Sequence, residues 1–300
     1  MTVPEPRPAY YAAHEALVAE ARPKPELWRL LVGLGLVAVV VTVLNLVLFS
    51  VVVGFGSNAV AEGFLTGSTP LAMIILLSSF GFVTLGVRMA VRRLQNRSLG
   101  SVLGSFRRSA RQFWVVFRAL LILGLVIAVL PPYDMGAPLT PNLDLSTWVL
   151  LLPLSLLAVL IQTSAEELLF RGYIQQSLAA RFQSTIIWMG LPSLLFAIGH
   201  YAPAAAGDNA ELIALWSCMF GLLAADLTAR SGTLGPAIAL HFFNNLIALL
   251  LISLPDNLSG LALFILPYDM SDTEMVRGWL YVDFAVMIVG WLTARLALRR

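Results

Sequence analysis

From Leu30 to Gly54 the chain runs without a charged residue, and so long an apolar stretch has few ways to fold. About 20 such residues suffice for a helix to cross the hydrocarbon layer. Lipid admits only helices or closed barrels, because each backbone N–H and C=O must be paired within the protein. The pattern recurs along the chain. Apolar segments over 27–54, 70–90, 113–130, 147–178, 185–200, 212–229, 234–252 and 278–298 predict an all-α, polytopic membrane protein with about eight transmembrane helices. Composition agrees, since 59% of the 300 residues are hydrophobic and 12% charged, with a mean hydropathy of +0.84. Soluble domains carry about 25% charged residues. The single cysteine, Cys218, excludes an intrachain disulfide and argues against a thiolate metal site.

Charge placement predicts the orientation. Residues 1–26 are polar and carry Pro4, Pro6, Pro8, Pro23 and Pro25, as a cytoplasmic tail does and a cleaved signal peptide does not. Within that tail, 10–21 reads as a short amphipathic helix lying on the membrane surface. With eight spans and an inside amino terminus, every one of the 19 Lys and Arg residues except Arg277 falls at or near the cytoplasmic side. The outer loops hold Glu62, Asp134, Asp144, Asp208, Glu211, Asp256, Asp269, Asp272 and Glu274 instead, a positive-inside pattern that places both termini in the cytoplasm. The location is an integral multi-pass membrane one, the inner membrane if the source is bacterial. The connector after the second span carries Arg88, Arg92, Arg93, Arg97, Arg107, Arg108, Arg111 and Arg118. Its position between two spans predicts contact with anionic lipid headgroups rather than nucleic acid, with 101–113 as an interfacial helix. The third span ends at Pro131-Pro132. Three parts result: the tail over 1–26, N-terminal spans with the basic connector over 27–130, and C-terminal helices over 131–300. Asn45, the only strongly polar residue in the interior of the first span, predicts a hydrogen bond between helices.

The chemistry centres on Ser164-Ala-Glu-Glu-Leu-Leu-Phe-Arg171, where two glutamates follow an almost wholly apolar run. An ionisable residue inside a span is expensive and so is a functional hypothesis by default. Glu167 and Arg171, four apart on a helix, share a face and can pair. Glu166 points about 100° away, on the face of Gln162 and Phe170, which leaves its carboxylate free. Two of the three histidines lie in spans: His200 ends the fifth, four after Phe196, and His241 lies in the seventh, four before Asn245. His14, in the tail, needs no special role, and Asp226 with Arg230 reads as a structural ion pair. A carboxylate in a water-poor pocket can act as base and then as acid. Imidazole and carboxamide groups can donate to the oxyanion of a scissile carbonyl. Two imidazoles and one carboxylate are equally a common zinc set, and spacing does not decide between the two.

Three segments in order carry a resemblance: Glu166-Glu167-Leu-Leu-Phe-Arg171, Phe196-Ala-Ile-Gly-His200 and His241-Phe-Phe-Asn-Asn245. They resemble the motifs of the CPBP family, the CAAX-prenyl endopeptidases and bacteriocin-processing membrane proteases, over about residues 145–255. The resemblance implies an intramembrane endopeptidase acting on a membrane-associated protein or peptide. It implies that Glu166 activates water together with His200, that His241 and Asn245 hold the oxyanion, and that Glu167, Arg171 and Phe196 support them. It favours catalysis by glutamate without a cofactor over a zinc enzyme. Two other readings use the same polar cluster: a proton-coupled transporter and a non-catalytic membrane scaffold. At about 1.5 Å rise per residue, His241 lies roughly 12 Å into its span and His200 roughly 22 Å along its own. Bringing them level requires span five to tilt, to kink at Pro192 or to extend beyond the bilayer.

Overall fold

Among the described residues, six apolar stretches wind into helices long enough to cross a membrane in the computed structural model of the protein: Leu27–Phe55, Pro70–Leu94, Leu99–Val129, Leu145–Arg181, Pro203–Ser231 and Thr273–Leu298. Two shorter apolar helices, Ile186–His200 and Gly235–Leu251, stand where the fifth and seventh spans are expected. The chain is an integral, multi-pass, helical membrane protein. The structure describes residues 9–130, 138–255, 258–270 and 272–299. Pro4, Pro6, Pro8 and Arg7 of the tail, Pro131-Pro132, the outer acids Asp134 and Asp256, and Arg300 lie outside the described residues.

In chain order the helices are α1 (Ala12–Val18), α2 (Leu27–Phe55), α3 (Asn58–Gly63), α4 (Pro70–Ser79), α5 (Gly81–Leu94), α6 (Leu99–Leu103) and α7 (Phe106–Val129). Then follow α8 (Leu145–Glu167), α9 (Gln175–Arg181), α10 (Leu191–His200), α11 (Pro203–Ala206), α12 (Ala210–Ser231), α13 (Gly235–Leu246) and α14 (Thr273–Leu298). Among the described residues, three two-residue strands, β1 (Thr140–Pro141), β2 (Ile252–Ser253) and β3 (Phe264–Ile265), tie the loops after α7 and α13 together. β3 lies between the others, antiparallel to β1 with Thr140 opposite Ile265, and parallel to β2.

Proline and glycine punctuate the spans. Pro70, Pro203 and Pro236 sit in first turns, where a missing N–H costs nothing. Gly104, with φ of +82°, ends α6, and a Cβ there would meet the Gly232 carbonyl oxygen at 3.0 Å. The Leu234 amide donates to the Leu103 carbonyl beside it, so the basic connector is pressed onto the turn that opens α13. That contact overrides the interfacial helix expected over 101–113. Val102 is fully buried, the chain breaks at Gly104, and α7 begins at Phe106. Arg97 also turns inward, donating to Gln176 Oε1 at 2.6 Å and Ser101 Oγ at 3.2 Å, and burial pulls its guanidinium down to about 10. Arg88, Arg92, Arg93, Arg107, Arg108, Arg111 and Arg118 remain exposed.

Two further expectations change for the same reason, that a polar group takes the nearest partner. The buried face of the tail helix is turned to protein: α1 packs against α9 and α12. The hydroxyl of Tyr11, the residue before α1, donates to Asp226 Oδ1 at 2.8 Å, and His14 of α1 is buried with its ring 4.7 Å from that of Trp188. His14 is thus part of the packed core. Asp226 also accepts from Arg230 Nε and from Trp291 Nε1, so the ion pair read as structural ties the turn before α1 to α12 and α14. Asn45 donates to the Val41 carbonyl of its own helix at 2.9 Å, in place of a bond between helices.

The helix that carries His241 starts in a close approach of backbone to backbone. A Cβ on Gly235 would lie 2.1 Å from the Ser109 carbonyl oxygen and 2.8 Å from its carbon, both backbone atoms of α7. Gly235→Ala is therefore expected to lower stability by about 1–3 kcal/mol. Thermal unfolding in detergent measures this, with Gly35→Ala as the control, since a Cβ at Gly35 meets nothing within 4 Å. An unchanged melting temperature for Gly235→Ala would refute the close contact.

Candidate active site

One continuous helical stretch, Leu145–Arg181, supplies the acids. It is regular through Glu167, widens into a π-helical turn over Leu168–Ile174, and continues as α9. Such turns insert an extra residue per turn and frequently mark functional sites. The widening directly follows the two glutamates, and from Arg171 to Ala179 every residue is buried in protein. The acids thus belong to the packed interior rather than to a frayed helix end.

Glu167 and Arg171 form the expected pair, with Arg171 Nη1 donating to Glu167 Oε1 at 3.1 Å. Both are buried, at 0% and 1% exposure. The guanidinium carbon stands 4.8 Å from the centre of the Phe196 ring and 6.0 Å from that of Phe220, so aromatic faces cover the cation. Glu167 Oε1 takes a second bond from His241 Nδ1 at 2.8 Å, which fixes a proton on that nitrogen. The other nitrogen of His241, Nε2, faces Glu166 Oε2 at 3.5 Å. His241 therefore stands between the two carboxylates, its ring edge-on to Phe220 at 5.0 Å and to Phe196 at 6.0 Å. Glu166 Oε2 is buried and has no hydrogen-bond partner among the described residues. One turn along α13, Asn245 Nδ2 donates to Gln162 Oε1 at 2.8 Å.

Residues 147–247 match the type II CAAX prenyl endopeptidase family, Rce1-like. The Rce1-like segment contains Gln162, the glutamate pair, Arg171, Phe196, both span histidines and Asn245, and it agrees with the resemblance carried by the three motifs. The uncharacterized protein YyaK of Bacillus subtilis (strain 168) is 26% identical over 186 residues, which cover 60% of this chain and 60% of that relative. The chain thus spans less than two thirds of that relative's length. No solved structure matches.

Within the Rce1-like segment the structure joins Glu166, Glu167, Arg171 and His241 directly, and it joins Asn245 to them through Gln162 on the helix of the acids. His200 stands outside this cluster. It is exposed at the end of α10, and its Nδ1 donates to the Phe196 carbonyl of its own helix at 2.8 Å, leaving Nε2 open among the described residues. Phe196 is the link, because both imidazoles rest on its ring, His200 at 4.3 Å and His241 at 6.0 Å between centres. Gln162 and Phe220 carry contacts that the motifs did not single out. For Gln162 the available signal was an amide one helical turn before Glu166 in an otherwise apolar run. Among the described residues no group of three His, Cys, Asp or Glu is placed to hold a metal ion.

Proposed function

We propose that this chain is an intramembrane endopeptidase that hydrolyses a peptide bond of a membrane-associated protein or peptide. The observation that carries the reading is the buried contact of His241 with both glutamates across α8 and α13, inside the Rce1-like segment. Glu166 is the base. Its unpartnered Oε2 takes a proton from water while the water oxygen bonds to the scissile carbonyl carbon. His200, with Nδ1 occupied and Nε2 open, orients that water from the far side of Phe196. His241 donates Nδ1–H to Glu167. Donation from Nε2–H to the oxyanion would make His241 the first oxyanion donor. Asn245 supplies the other oxyanion donor. As the carbon–nitrogen bond breaks, Glu166 returns its proton to the leaving amine, which yields a carboxylate and a free amino end.

The termini face the cytoplasm in this reading, and the exposed arginines of the connector meet anionic headgroups there. The test compares peptide ends in membranes from cells making the wild-type chain or Glu166→Ala, with and without a strong chelator. The expected result is a set of new peptide ends that depends on Glu166 and survives chelation. Identical peptide ends in both cells would refute the endopeptidase, and loss of cleavage on chelation would refute a purely glutamate-driven water.

A further inference from the structure

Two rungs join α8 to α13. Glu166 and Glu167 meet His241 in one, and Gln162 meets Asn245 in the other. Gln162 lies four residues before Glu166 and Asn245 four after His241, so on these antiparallel helices the amide rung stands one turn, about 5.4 Å, from the acid rung. A carboxamide has two N–H donors and one acceptor oxygen. At Asn245 the oxygen accepts from Asn244 Nδ2 at 3.2 Å, and one N–H goes to Gln162 Oε1. One N–H remains, with no hydrogen-bond partner among the described residues. Left to itself, an asparagine amide can turn over and present its oxygen, which would repel an oxyanion. Gln162 is 6% exposed within a span, and a buried amide is retained only where it is hydrogen-bonded.

We propose that Gln162 is a positioning residue: its Oε1 fixes the sense of the Asn245 carboxamide so that the remaining Nδ2–H is presented to the oxyanion. This rests on the endopeptidase reading above. The role is distinct from simple bonding between helices, because it acts only through Asn245 and only when charge develops on the substrate.

The test uses the full chain in detergent and an internally quenched peptide ending in a prenylated cysteine followed by three residues. Gln162→Met keeps the length and removes the acceptor. The expected result is a kcat lower by about 10- to 100-fold, as for a misplaced catalytic group, with KM nearly unchanged. In Gln162→Met/Asn245→Ala the loss should be no larger than in Asn245→Ala alone. If the two losses multiply, or if activity falls only in step with the melting temperature, Gln162 is a packing residue and the proposal is overturned. A second measurement is independent of turnover. In protein labelled at asparagine nitrogen, Gln162→Met should speed solvent exchange at the Asn245 amide and leave Asn142, which bonds to the Ser259 and Ala262 carbonyls, unchanged. Unaltered exchange at Asn245 also overturns the proposal. Equal cleavage of the probe by wild type and Glu166→Ala would sink the endopeptidase reading itself, and the positioning role with it.

Discussion

Replacing Glu166 with alanine is expected to abolish peptide hydrolysis while leaving the melting temperature in detergent close to that of the wild type. The two glutamates differ in what they hold. Glu167 accepts from Arg171 and His241 in a site closed to solvent, so its loss strands two partners. Glu166 makes no hydrogen bond through Oε2, its nearest partner is His241 Nε2 at 3.5 Å, and its side chain is 15% exposed. Removing it leaves the Arg171–Glu167–His241 chain intact. A positioned general base contributes about 10²- to 10⁴-fold, so with background hydrolysis slow the loss reads as complete. Glu166→Gln keeps the shape and removes the base, and should be as inactive as the alanine variant. Cleavage by Glu166→Gln at even a tenth of the wild-type rate would show that this carboxylate does not take the proton.

The same contrast shows what could be read from residues alone. The membrane spans were legible because hydrocarbon makes one demand, that about 20 residues be apolar, and that demand is written in composition. The glutamate–arginine pair was legible because a helix puts residues four apart on one face. What composition did not show was where each polar or amphipathic segment finds its partners. The 10–21 helix has the pattern of a membrane-surface helix, but the partners that bury it, Trp188 and Asp226, lie far along the chain and carry no local mark. Ser101 to Phe113 alternates apolar and basic residues as an interfacial helix would, yet Gly104 at positive φ breaks it against the turn before α13. At the site, the ordered motifs brought out the acids and His241 but left their pairing open. His200 and His241 look alike in sequence, and only the arrangement of α8, α10 and α13 gives one of them to both carboxylates and leaves the other at a helix end. Gln162 was placed on the face of Glu166, but helix periodicity gives only the face of one helix and not the Asn245 amide that meets it from another.

Arg171→Met is expected to lower stability by about 3–5 kcal/mol, the range found when one partner of a buried ion pair is removed. Glu167 is fully enclosed, and without the guanidinium its charge is left with His241 alone. Unfolding in detergent measures the loss, and Glu167→Gln measures the converse. The informative comparison is the double variant, Arg171→Met/Glu167→Gln, which removes both charges and should be more stable than Arg171→Met alone. Additive losses would mean that the two side chains act independently, against the 3.1 Å contact. The pair is also incompletely satisfied, since Glu167 Oε2 and Arg171 Nη2 are buried with no hydrogen-bond partner among the described residues. A pair kept for stability alone would do better as two apolar side chains of the same volume. What the ion pair provides instead is a charged acceptor for His241 Nδ1, held in place by Arg171; the glutamine oxygen that replaces it is neutral and no longer held by a guanidinium, so the double variant should be more stable than Arg171→Met and still have lost most activity. Cleavage by the double variant at the wild-type rate would place the orientation of His241 elsewhere, in the rings of Phe196 and Phe220 that flank it.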